Sequence, residues 1–198
     1  MLRARIAVLV SGGGTNLQAL IDSQGSTLKS GEIVLVISNN PNAYALERAE
    51  KSGILSAVVP RSAPDFEGRI VRLLDEHSID LIILAGFMCI LSEDFTKRYP
   101  RQIINIHPSL IPSFCGEGYY GLNVHRAALA RGVKVTGATV HYVNEIPDGG
   151  EIIFQKAVEI QSGDTPETLQ RRVMEQAEWL LLPMAAEKVS KSIIQERQ

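Results

Sequence analysis

The chain has 198 residues, of which 45% are hydrophobic and 21% charged, and a formal net charge of -2. That length suits one α/β domain with a buried core, and the near-neutral balance excludes a strong field recruiting nucleic acid or an anionic membrane. The two cysteines, Cys89 and Cys115, form no disulfide framework and lack metal-ligand spacing, so a reducing, cytoplasmic setting is expected and no metal is called for.

The first apolar run, Ile6–Val10, is too short to cross a bilayer and runs into glycines instead of a cleavage site, so it reads as a strand. Further strands are expected at Ile33–Ser38, Ser56–Val59, Leu81–Leu84 and Ile103–Ile106. Helices are expected at Asn16–Leu28, Ala43–Ser52, Phe66–His77 and Glu93–Tyr99. Continuous apolar strands alternating with amphipathic helices predict an α/β fold: a Rossmann-like, mostly parallel sheet covered on both faces. After a helix over Gly121–Arg131, Thr136–Val143 and Glu151–Ile160 read as an antiparallel C-terminal hairpin around the turn Asn144–Gly150. Thr165 then caps one final amphipathic helix, with Pro166 at its first position. No linker interrupts the chain, so residues 1–198 are expected to form a single domain.

Ser11-Gly12-Gly13-Gly14-Thr15-Asn16 lies between the first strand and the first helix. Free amides and the helix dipole there favour an anion, so the loop is a candidate phosphate site. It has no Gly-Lys-Ser/Thr, and Leu17 occupies the third glycine position of a dinucleotide fingerprint. Nor does an acidic residue end the second strand, so a nicotinamide cofactor is disfavoured. A ligand-free tight turn is the plain alternative.

Asn105 and His107, two apart on a strand, share a face at the carboxyl end of the sheet, where ligands of open α/β sheets bind. An amide donor and an imidazole can hold an oxyanion and move a proton. A polar strand end capping the next loop is an equal reading of that pair. Asp148, in Asp148-Gly149-Gly150, can serve its own turn or can orient His107 and raise its pKa. His141 is as readily structural as functional. His77 and His125 read as helix-surface residues, and Glu175 and Glu178, three apart, as one solvated helix face.

Taken together, five segments resemble the folate-dependent formyltransferase family, in that family's order and over nearly the whole chain. They are Ser11–Gln18, Leu84–Met88, Asn105–Pro112, Gly137–His141 and Asp148–Gly150. The resemblance implies transfer of a formyl group from 10-formyltetrahydrofolate, as co-substrate, to the amine of glycinamide ribonucleotide in purine synthesis. It implies Asn105, His107 and Asp148 as the catalytic trio, and Gly14, Thr15 and Asn16 at the ribonucleotide phosphate. Met88, Cys89, Ile90 and Leu91, with Asn105, would line the folate pocket. Glu178 would contact the ribonucleotide, with Glu175 and His141 as further substrate-side candidates. On this basis residues 1–100 would serve mainly the phosphate and ribonucleotide, and residues 101–198 catalysis and folate. The expected partners are these small molecules, not nucleic acid or membrane, in a monomer or homodimer.

The chain departs from the family pattern in places. Cys89 stands where relatives often carry arginine, and the stretch Ser113–Gly121 is longer than in many relatives. Arg61 lies near the third helix without matching an arginine that some relatives turn toward folate. Formyltetrahydrofolate hydrolase and methionyl-tRNA formyltransferase share the scaffold, but each carries a further domain for which 198 residues leave no room. A non-catalytic phosphate-binding module is the reading of another class, and it has no use for the trio.

Overall fold

The computed structural model describes residues 2–197. Its strands are β1 (Ala4–Val10), β2 (Gly31–Ser38), β3 (Leu55–Val58), β4 (Leu81–Leu84), β5 (Ile103–His107), β6 (Val135–Tyr142) and β7 (Ile152–Glu159). They form one sheet in the order β3-β2-β1-β4-β5-β6-β7. Strands β1 to β5 pair in parallel, while β6 and β7 are antiparallel, as the hairpin pattern predicts.

The helices are α1 (Thr15–Ser23), α2 (Tyr44–Lys51), α3 (Phe66–Glu76), α4 (Glu93–Arg98), α5 (Leu122–Arg131), α6 (Pro166–Val173) and α7 (Trp179–Gln195). The central parallel strands β1, β2, β4 and β5 are apolar over most of their length because both faces are covered, whereas the edge strand β3 is largely exposed. Ile6, Val8 and Val10 of β1 join one core with Leu17 and Leu20 of α1 and Ala185 and Val189 of α7. Ala7 and Leu9 join the other, with Ile70 and Leu74 of α3 and Phe95 of α4. Among the described residues no helix is long and apolar enough to cross a membrane.

Two helices differ from the sequence expectation. Helix α1 stops at Ser23 because the chain folds back there, with the Leu28 amide donating to Ser23 O at 3.0 Å. Leu28 is still buried in the core, so its spacing mimics another helical turn. The single C-terminal helix is in fact α6, a π-helical turn (Met174–Glu178) and α7. Thr165 caps α6 as predicted, in a reciprocal box with Thr168. The wider π turn breaks the three-residue spacing that would place Glu175 and Glu178 on one face.

The order of the strands reverses between β1 and β4. Connections leaving that point open a crevice at the carboxyl ends of the strands. The glycine loop follows β1 and the segment Ala85–Leu91 follows β4, so both border this crevice. They are joined directly: Met88 N donates to Ser11 Oγ at 2.7 Å.

Candidate active site

Strand β5 presents Asn105 and His107, and the turn after β6 brings Asp148 to them. Asp148 adopts a left-handed backbone (φ 55°), a conformation that aspartate tolerates better than most residues. The turn closes tightly on β6: a Cβ on Gly150 would collide with the Tyr142 carbonyl. Asp148 Oδ2 lies 3.4 Å from His107 Nδ1, and Oδ1 lies 3.4 Å from His141 Nε2. Asn105 Nδ2 is 3.2 Å from His141 Nε2 and 3.5 Å from Asp148 Oδ1. His141 Nδ1 is in turn 2.8 Å from the Tyr142 carbonyl. His141 is therefore buried between Asn105 and Asp148.

The segment 113–121 touches this cluster through Phe114 and Gly116, while Ser113 and Glu117–Gly121 are exposed. The Phe114 carbonyl is 2.9 Å from His107 Nε2, and the Gly116 amide donates to Asp148 Oδ2 at 2.8 Å. His107 is thus flanked by an acceptor on each ring nitrogen, an arrangement that only the doubly protonated ring satisfies in full. Burial works the other way and holds the His107 pKa below its ordinary value, despite the upward pull of Asp148 and the Phe114 carbonyl. The expected elevation by Asp148 is therefore present but outweighed. Burial also pushes the Asp148 carboxyl upward, but the hydrogen bond from His141, the charge of His107 and the Gly116 amide together leave it below the usual range.

These groups open into a cavity of about 580 Å³. Gly86–Leu91 form one wall, Asn105–Pro108 the base, Gly116–Gly121 a second wall, and Val143–Asp148 part of the rim. Met88 and Ile90 expose their side chains at its edge, while Cys89 is buried, its sulfur accepting from Asn39 Nδ2 at 2.9 Å. Among the described residues, the amides of Cys89, Ile90 and Leu91 have no protein acceptor. A flat heterocycle with several donors and acceptors along its edge fits such a row of unspent backbone groups. Arg61 also lines this cavity, although no sequence match assigns it there.

Around the glycine loop, Gly14 takes φ +70°, and a Cβ there would meet Ala45 Cβ at 2.7 Å, so glycine is required on both counts. Thr15 borders a second hollow of about 470 Å³ with Arg48 and Trp179. Asn16 Nδ2 donates to Glu178 Oε2 at 2.7 Å. Glu178 is only 6% exposed, and burial pushes its carboxyl up to about 7, moderated by the Asn16 hydrogen bond. The solvated-face reading of Glu178 is thus corrected. Glu175 does lie exposed, paired with Arg171, and lines neither hollow.

His125 is also corrected from surface to core. It is fully buried on α5, neither ring nitrogen has a partner among the described residues, and burial lowers its pKa to about 4. Contacts link the two halves of the chain at these places: Glu178 accepts from Asn16, and Met88–Leu91 line the same cavity as Asn105.

Residues 4–185 match a family described as Formyl transferase. Over 197 residues the chain is 46% identical to the trifunctional purine biosynthetic protein adenosine-3 of Gallus gallus, covering 98% of this chain and 19% of that protein. The chain thus spans about a fifth of the length of that relative. It is 39% identical over 175 residues to the phosphoribosylglycinamide formyltransferase of Escherichia coli, covering 86% of this chain and 80% of that one. The crystal structure of phosphoribosylglycinamide formyltransferase from Anaplasma phagocytophilum superposes with a TM-score of 0.87 at 42% identity. That match covers 96% of this chain and 88% of the other.

Proposed function

The chain belongs to the formyl transferase family, and from that membership and the geometry of its site we propose that it moves the formyl group of 10-formyltetrahydrofolate to the amine of glycinamide ribonucleotide. The products are formylglycinamide ribonucleotide and tetrahydrofolate, one step of purine synthesis. The observation that carries this reading is convergence. Asn105, His107 and Asp148 meet in one cavity whose wall is hydrogen-bonded, through Met88 and Ser11, to an amide-rich glycine loop.

The acceptor's amine attacks the formyl carbon and the carbonyl oxygen gains negative charge. Asn105 and protonated His107 donate to that oxygen. The contact of Asn105 Nδ2 with Asp148, at 3.5 Å, is weak and leaves an N–H available for this. The Phe114 carbonyl holds Nε2, so the Nδ1 side, next to Asp148, is the working side of the ring. Asp148 favours the charged ring, while burial outweighs that pull and holds the His107 pKa below its ordinary value. Collapse then breaks the bond to the folate nitrogen. One proton leaves the attacking nitrogen and one reaches the departing nitrogen, with His107 carrying it directly or through water. No covalent enzyme intermediate is required, and much of the rate comes from holding two substrates together. The unspent amides of Cys89, Ile90 and Leu91 support a folate site there. Gly14, Thr15 and Asn16 are assigned to the phosphate, and Glu178, whose carboxyl is pushed up to about 7, to the ribonucleotide.

The test is to follow deformylation of a 10-formyl folate by absorbance, with and without glycinamide ribonucleotide, and to weigh the product by mass spectrometry. Turnover that requires the ribonucleotide and yields its formyl derivative supports the proposal. Deformylation without it identifies a hydrolase, and no turnover in either mixture overturns the reading.

A further inference from the structure

Two carbonyls of the glycine loop are tied to α2. Gly12 O accepts from the Ala45 amide at 3.1 Å, and Gly13 O accepts from Arg48 Nε at 2.8 Å. Arg48 is itself fixed in place. One of its terminal nitrogens donates to Gln18 Oε1 at 2.9 Å, and its guanidinium carbon sits 5.0 Å from the centre of the Tyr44 ring. The loop peptides are trans, since the cis bond among the described residues is Ile111–Pro112. In a trans peptide the carbonyl and the following N–H point in opposite directions. Tethering Gly12 O and Gly13 O to α2 therefore aims the amides of Gly13 and Gly14 away from α2. Among the described residues, neither amide donates to a protein acceptor. Successive amides turned outward in this way form a concavity that takes an anion.

From this geometry we propose that Arg48 is a positioning residue for the acceptor's phosphate, acting through the Gly13 carbonyl without binding the phosphate itself. This rests on the reading of the glycine loop as the phosphate site. An arginine next to a phosphate loop is ordinarily taken as a charge partner. Here Arg48 Nε faces the carbonyl, and the amide that this contact orients faces the other way.

The two roles separate experimentally because glutamine carries a neutral N–H donor at the same distance along the side chain as Arg48 Nε. Arg48→Met removes the donor to Gly13 O along with the charge, whereas Arg48→Gln keeps a donor at that position and loses the charge and the contacts to Gln18 and Tyr44. If Arg48 positions the loop, Arg48→Met raises KM for glycinamide ribonucleotide about tenfold, in line with the loss of one hydrogen bond. It leaves kcat and the KM for formyl folate within about twofold, and Arg48→Gln recovers most of the loss. The dephosphorylated acceptor, tested at high concentration, responds equally in wild type and Arg48→Met.

Equal impairment of the Gln and Met variants would make Arg48 a charge partner and overturn the proposal. Equal loss toward the dephosphorylated acceptor would show general damage and also overturn it. Calorimetric binding of ribose 5-phosphate to the three proteins gives the same comparison without turnover. The role of Arg48 can therefore be judged even if the proposed reaction fails, and absence of ribose 5-phosphate binding to wild type would remove the phosphate site itself.

Discussion

His107 Nδ1 lies 3.4 Å from Asp148 Oδ2, with the histidine side chain 6% and the aspartate side chain 14% exposed. At this separation the carboxylate acts on the ring chiefly as a charge, in a setting where water screens little. The opposing effect of burial makes the protonation of His107 depend on Asp148, and the first two expectations follow from that dependence.

Replacing His107 with alanine removes both the donor to the oxyanion and the proton carrier. Turnover should fall by roughly 10²–10⁴-fold, while KM for glycinamide ribonucleotide stays within a few-fold, because the phosphate loop is elsewhere. Initial-rate kinetics with both substrates varied measures this. Near-full turnover in the variant would remove His107 from the mechanism.

Asp148→Asn should shift the pH profile as well as the rate. The His107 pKa already sits below its ordinary value, with Asp148 pulling it upward. Without that charge it falls further, and the protonated ring is lost at lower pH. The limb of the kcat profile on which activity declines as pH rises should therefore move down by ~1 unit or more. A profile that stayed in place while the rate fell would mean that Asp148 only shapes the turn.

Gly14→Ala should cost stability and acceptor affinity together. Its left-handed backbone (φ +70°) strains a side chain, and the new Cβ would meet Ala45 Cβ at 2.7 Å and Ala45 Cα at 2.9 Å. Strain and overpacking together suggest a loss of about 2–4 kcal/mol. Urea denaturation reads the stability change, and KM for glycinamide ribonucleotide reads the displaced loop. Wild-type values for both would argue that α2 yields easily at this point.

Glu178 should make stability depend on pH. Its folded pKa of about 7 lies above its ordinary value of 4.5. Its contribution is complete below pH 4.5 and is lost as pH rises through about 7, since the unfolded chain releases the proton first. At about 1.4 kcal/mol per unit, the wild type should lose ~3 kcal/mol relative to Glu178→Gln across that window. Glutamine keeps an oxygen for Asn16 and has no proton to lose. Thermal melts of both proteins between pH 4.5 and 8 measure the difference, and parallel curves would place a counter-charge beside Glu178.

The sequence made the sheet legible because parallel strands covered on both faces must be apolar at every position, as Ile6–Val10 and Leu81–Leu84 are. Asn105 and His107 were legible as a pair because strand periodicity alone places them on one face. What was missed has no periodic signature. The π turn alters the spacing of Glu175 and Glu178 within an otherwise ordinary amphipathic pattern. The burial of His125 follows from the packing of α5, whose inner face is too short and too mixed to show in sequence. Arg48 depends on where α2 lies relative to the glycine loop, and Arg61 on where the cavity opens, both set by tertiary packing.

The contacts that segment 113–121 makes with His107 and Asp148 come from a carbonyl and an amide, both main-chain atoms. Such a segment can change most of its side chains and still serve, because selection on it acts through the path of the chain and not the identity of its residues. Its glycines aside, it should tolerate substitution yet be intolerant of single-residue deletion, which would carry the Phe114 carbonyl or the Gly116 amide out of reach. Relatives with different lengths here must therefore deliver the same two atoms by another route, or manage the charge of the catalytic histidine without them.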